Sequence, residues 1–118
     1  KHGYATACIG NLGEESSVNE TVKACIDRYG SLHGVVNMAG ILRFDDTEQL
    51  QTDQWQKVID VNLTGTMHLC RAVLPHLVQT QGSIVNAAST AALQGLPCGV
   101  AYSASKGGVL AMTRRHNY

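Results

Sequence analysis

Residues 83–109 read SIVNAASTAALQGLPCGVAYSASKGGV, and the order of their patterns decides the fold. SIVNAAS, at 83–89, is a short apolar run that ends in small and polar residues, as a buried strand does. Gly95, Pro97 and Gly99 punctuate the loop that follows. From about residue 101 the pattern is helical, which sets Tyr102 and Lys106 on one face. A Lys ammonium beside a phenol stabilises the phenolate, and such a Tyr passes a proton near neutral pH. Ala101, Ser105, Gly107 and Gly108 surround the pair with minimal side chains and leave room for a flat ligand. Read singly, a Tyr-x-x-x-Lys pair is also what chance places on a half-exposed helix, and Ser89 also suits an ordinary turn.

Upstream, strands and helices keep alternating. YATACI, at 4–9, fits a short buried strand. Ser17 and Glu20 have the spacing of a capping box. Val18, Val22, Cys25, Ile26 and Tyr29 then recur at helical spacing until Gly30 ends the run. HGVVNMAG, at 33–40, is a second strand, and 41–51 a polar loop. A long helix is predicted over 53–79, capped by Thr52 or Asp53. Its stripe is Trp55, Val58, Ile59, Leu63, Met67, Cys70, Leu74 and Leu77, with Pro75 placed to end or kink it late. Asn62, a poor helix residue, marks a kink or a solvent-facing position. Three strands alternating with three helices imply an α/β fold, a parallel sheet with crossover helices in one domain over 1–118. Ligands of such sheets bind beyond the carboxyl ends of the strands, where this chain has IGN, NMAG and NAAST.

Composition narrows the function. Nine basic and nine acidic residues among 118 leave no net charge, which argues against an electrostatic grip on nucleic acid or an acidic membrane. The longest apolar runs are too short and interrupted to span a bilayer as a helix. KHGYATACIG lacks the long apolar core of a secretory signal. Cys8, Cys25, Cys70 and Cys98 are scattered, with no C-x-x-C, which fits a reducing, cytoplasmic setting. His68, Cys70 and His76 do not have the spacing of a closed zinc set, so no metal is expected. Ser89 lacks the G-x-S-x-G elbow of a hydrolase.

Taken together, VNMAG at 36–40, DVNLTG at 60–65, SIVNAAS at 83–89 and YSASKGG at 102–108 resemble the short-chain dehydrogenase/reductase (SDR) family. Order and spacing agree over residues 11–114. The resemblance implies a Rossmann-type, doubly wound parallel sheet and hydride transfer between NAD or NADP and an alcohol or ketone substrate. It makes Tyr102 the acid/base on the substrate oxygen and gives Lys106 two tasks, stabilising the phenolate and bonding the nicotinamide ribose. Ser89 would orient the carbonyl or alcohol. Asn62 would kink its helix and hold a water that relays protons from Lys106. Asn37, Ala39 and Gly40 would line the adenosine-side ribose, and Asn11 and Leu12 the adenine. The helices at 53–79 and 101–115 would form a homo-oligomer interface.

Asn11 stands where the family has Asp, and Met38 where it has a second Asn. Two larger departures concern what is missing. The family's opening strand, its T-G-x-x-x-G-x-G pyrophosphate loop and the next strand have no counterpart here, nor do the strands after the last helix. The expectation is therefore a central fragment, incomplete as a sheet and inactive or nearly so by itself, from an active parent. A parallel sheet without its central strand exposes apolar edges and faces. Two other readings stay open: a non-catalytic truncated isoform that associates with SDR subunits, and an epimerase or lyase built on the same Tyr and Lys. STAALQGLPCG, at 89–99, borders the expected substrate pocket, with Leu93, Leu96 and Cys98 suggesting an apolar wall.

Overall fold

Two strands pair in parallel at the centre of the structure, a computed structural model that describes residues 5–115. Strand β1 (Gly34–Asn37) and strand β2 (Ser83–Asn86) align Gly34 with Ser83 and Asn37 with Asn86. Parallel neighbours need a long crossover, and the chain supplies it as one continuous helical run. Helix α2 (Thr52–Ile59) passes into a π-helical turn (Asp60–Thr64) and then into helix α3 (Gly65–Thr80). Gln51 takes the N-cap position, one residue before the predicted caps. Pro75 lies on the exposed side of α3 and does not end it; the helix stops at Gln81, whose φ of 56° is left-handed.

Helix α1 (Glu15–Tyr29) precedes β1 and closes on Gly30, at φ 86°. Its start corrects one expectation: Glu14 is the N-cap, and Ser17 makes no capping bond. The Ser17 hydroxyl instead accepts the Asn11 N–H at 2.7 Å, because the turn at Asn11–Glu14, closed by Glu14 N–H on Asn11 C=O, begins the helix first. Beyond β2 a short helix α4 (Ala91–Gln94) interrupts the expected loop, and helix α5 (Val100–Arg115) carries Tyr102 and Lys106.

The core lies between α1, α3 and one face of the sheet. Val22, Val73 and Leu77 are buried together, with Leu32, Val35, Leu69, Ala72 and Ile84 packed against them. The other face of the sheet is bare: Val36 is 70% exposed and Val85 56%. The expected strand at 4–9 is the second correction. Tyr4 lies outside the described residues, and the rest of the segment forms no ladder; among the described residues the sheet has two strands, not three. A strand exists by pairing its backbone, and no described segment lies alongside this one to pair with it. Ile9 is wholly exposed.

Gly65 fixes the position of the turn that follows this segment. A Cβ at Gly65 would collide with the Leu12 carbonyl oxygen and side chain. Glycine there lets the Asn11–Leu12 turn lie directly on the helix, one residue past the π turn.

Candidate active site

Because β1 and β2 are parallel, their carboxyl ends open on one side, and the site is built there. Asn37 and Asn86 end the two strands as partners. Ala87 N–H donates to Asn37 C=O at 2.9 Å, which carries the pairing one residue further. The Ala87 carbonyl then accepts the Lys106 ammonium at 3.0 Å. Lys106 is only 4% exposed, and its Nζ lies 5.8 Å from the centre of the Tyr102 ring. The predicted Tyr–Lys face of α5 is thus anchored to the end of the sheet. One bond to Ala87 leaves the ammonium two further donors.

Asn62 is fully buried on the π-helical turn, so it is not solvent-facing. A widened turn displaces a side chain from the ordinary helical register, and such turns cluster at functional sites. Here the carboxamide reaches the backbone of residue 41: Oδ1 accepts Ile41 N–H and Nδ2 donates to Ile41 C=O, each at 2.8 Å. Nδ2 also donates to Ser105 Oγ at 3.1 Å, and Ser105 donates to Tyr102 C=O at 2.8 Å. Gly40 keeps the space between Asn62 and Lys106 clear: a Cβ there would sit 3.3 Å from Nζ and 3.5 Å from Asn62 Oδ1.

Asn37, 6% exposed, shapes the other end of this short segment. Its Oδ1 accepts Ala39 N–H at 3.2 Å, and its Nδ2 donates to Thr66 Oγ1 at 2.9 Å and to Asn86 Oδ1 at 3.5 Å. Asn11, Leu12, Asn37, Met38 and Ala39 line one cavity of about 320 Å³. Four of the five residues assigned from sequence to the adenosine side of the cofactor therefore meet around one space, and the fifth, Gly40, sits by Lys106; Tyr102 and Lys106, the other two cofactor assignments, do not line that cavity.

Ser89 lies in the segment between β2 and α4. Its hydroxyl accepts Ala91 N–H at 3.1 Å at the start of α4, and no hydrogen bond links it to Tyr102 among the described residues. Leu96 and Cys98 line a second cavity of about 500 Å³ beside α4 and α5, but neither Ser89, Tyr102 nor Leu93 does. Cys98 occupies a left-handed backbone position, φ 60°. Its thiol meets the Asp46 carboxylate at 3.2 Å; that hydrogen bond, and then the Asp46 charge, push the thiol above its ordinary pKa. Asp45 N–H on Cys98 C=O, 2.8 Å, fastens the same two loops.

Sequence reasoning missed Thr66, Ser105 and the carbonyl of Ala87. A signal existed for the first two: Thr66 lies four residues after Asn62, and Ser105 directly precedes Lys106. Their hydroxyl partners come from other elements, which spacing alone does not reveal.

Comparison with known proteins identifies the family and the fold. The short chain dehydrogenase family profile matches residues 2–117. The chain is 40% identical over 106 residues to the short chain dehydrogenase adrF of Penicillium rubens, covering 88% of this chain and 42% of that protein. It is 39% identical over 120 residues to the 2-(R)-hydroxypropyl-CoM dehydrogenase of Xanthobacter autotrophicus, covering 96% and 48%. The crystal structure of an NAD+-bound xylitol dehydrogenase superposes with a TM-score of 0.86 at 29% identity, covering 92% of this chain and 42% of that one. The chain spans less than half the length of these relatives.

Proposed function

The chain belongs to the short-chain dehydrogenase family, and from that premise we propose that the complete protein is an oxidoreductase exchanging a hydride between NAD or NADP and an alcohol or carbonyl compound. The observation that carries the reading is the buried Lys106 ammonium, tied to Ala87 C=O, beside the Tyr102 ring and facing Gly40. A fixed buried cation stabilises negative charge that develops near it, and Tyr102, whose ring centre lies 5.8 Å from Nζ, is the group on which this reading places that charge.

Tyr102 gives its proton to a substrate carbonyl oxygen or takes one from an alcohol. Lys106 sets a positive charge beside that phenol, and its spare donors suit a ribose hydroxyl. Ser89 accepts from Ala91 but keeps its own O–H proton, which orients the substrate oxygen. The Asn62 amide protons are both engaged, while Oδ1 retains a lone pair for a water that would relay protons from Lys106. The bound dinucleotide supplies the hydride donor or acceptor. The residues fit such a group: the cavity at Asn11, Leu12, Asn37 and Ala39 suits an adenosine, and Ala39 and Gly40, both exposed and without bulky side chains, follow it toward Lys106. NAD+ is bound in the similar xylitol dehydrogenase. The helices at 53–79 and 101–115 serve as the subunit interface of a homo-oligomer.

One observation favours a second reading, a non-catalytic chain that associates with SDR subunits. Ile9, Val36 and Met38 are 106%, 70% and 71% exposed, and apolar groups so placed seek a cover. Titration with NADH and NADPH by nicotinamide fluorescence, followed by turnover on a panel of alcohols and ketones, separates the two. The first reading expects saturable binding and turnover by the complete protein and little turnover by the 118-residue chain. Absence of both binding and turnover in the complete protein would overturn it.

A further inference from the structure

Residues 38–41 are held at both ends by carboxamides. Asn37 Oδ1 fixes Ala39 N–H from one side, and Asn62 fixes both polar groups of Ile41 from the other. Between these holds lie Ala39 and Gly40, the backbone that faces the cavity and Lys106. The two carboxamides come from a strand end and a helix, with no covalent reason to keep a fixed relation.

The Thr66 hydroxyl connects them. Thr66 is 1% exposed. Its Oγ1 accepts from Asn37 Nδ2 at 2.9 Å and donates to the Asn62 carbonyl at 2.8 Å. A Thr hydroxyl bonded to the carbonyl four residues back is common in helices and often bends them. Two features distinguish this one: the carbonyl belongs to the π-helical turn, and the same oxygen receives the strand's carboxamide. A hydroxyl both donates and accepts, so Thr66 transmits the position of Asn37 to the turn that aims Asn62. Valine, of equal shape, cannot.

We propose that Thr66 is a positioning residue: it joins the two carboxamides that shape residues 38–41, and so sets how this segment meets the cofactor. The assignment rests on reading that segment as cofactor-facing, so its test has one arm that needs no cofactor. In the complete natural protein without ligand, amide hydrogen exchange is measured for Thr66→Val and Thr66→Ser. Exchange at Ala39 and Ile41 should quicken about tenfold in the valine variant and stay near that of the unaltered protein in the serine variant. Acceleration spread evenly over all amides, or none at these two, would overturn the proposal. Should the valine variant fail to fold, Asn37→Ser cuts the same link from the other end. Exchange must then quicken at Ile41, which Asn37 does not touch; an unchanged Ile41 overturns it.

The second arm is kinetic. Thr66→Val should raise the KM for the nicotinamide cofactor about tenfold, with kcat changed less than about twofold, and Thr66→Ser should restore it. A lower kcat at unchanged cofactor KM contradicts the role. If the unaltered protein binds no nicotinamide, the functional reading falls, and the exchange arm alone then decides whether Thr66 joins the two carboxamides.

Discussion

Asn62, Ser105 and Lys106 are 0%, 0% and 4% exposed, whereas Ile9, Val36 and Met38 are 106%, 70% and 71% exposed. Polar groups are hidden in one region of this chain and apolar groups are bare in the other. The difference follows from where each region finds its partners. Around Asn62, hydrogen-bonding groups come from β1, the segments after both strands, the π turn, α3 and α5, all within 37–106, and Asn37, Asn62, Thr66, Ser105 and Lys106 are each bonded, while His68 Nδ1 and Ser103 Oγ are buried without a partner among the described residues. Residues 5–10 touch α1, where Thr6 bonds the Tyr29 hydroxyl and Gly10 lies against Thr21, but they pair with no described strand, and Ile9, Val36 and Met38 stay uncovered among the described residues. Burying a polar group without a partner is costly, so the arrangement at Asn62 persists because residues 37–106 bring its partners together. An exposed valine costs far less and can wait for a cover.

Substitutions can break or sharpen this contrast. The largest effect on stability is expected at Gly65, where the closed region meets the segment leading from the open one. Gly65→Ala drives a Cβ into the Leu12 backbone and should cost about 3 kcal/mol or more, measured by urea unfolding of the 118-residue chain. A cost below about 1 kcal/mol would mean that the Leu12 turn is free to lift off. Next comes a pair of valines. Val73, 1% exposed, and Val36, 70% exposed, sit on opposite sides of the contrast. Val73→Ala should cost about 2 kcal/mol and Val36→Ala less than about 0.5 kcal/mol. Equal costs would erase the distinction.

Gly40→Ala probes chemistry rather than stability. The added carbon displaces the end of a flexible Lys, so the fold should tolerate it, yet the ammonium must shift. In the complete protein kcat/KM should fall about tenfold, with thermal stability unchanged. The smallest effect is at Cys98. Asp46→Asn removes the carboxylate that holds the thiol's pKa up. The pKa should fall, more thiolate should be present at pH 8, and iodoacetamide labelling of Cys98 should run about threefold faster. Slower labelling would contradict the pairing.

The sequence disclosed what depends on short spacing. Tyr102 and Lys106 are four apart on a helix, and the structure puts them on one face. Helix α1 ends at Gly30 as its positive φ requires. Asn62 in mid-helix announced an irregularity, and a π turn is there. What failed depends on distant partners. YATACI has the composition of a strand, but a strand is made by its neighbour, and residues 5–9 have none. Ser17 and Glu20 have a capping-box spacing, but the helix begins earlier, where the turn at Asn11 sends it. Thr66 looked like any helical Thr, because only the sheet brings Asn37 to its hydroxyl.

Proton transfer by Tyr102, as proposed, is tested by Tyr102→Phe in the complete protein. Nicotinamide turnover and nicotinamide binding are followed on the same samples. Turnover should fall at least about a hundredfold with cofactor binding retained. Turnover within about threefold of the unaltered protein would contradict it and move the chemistry to another residue.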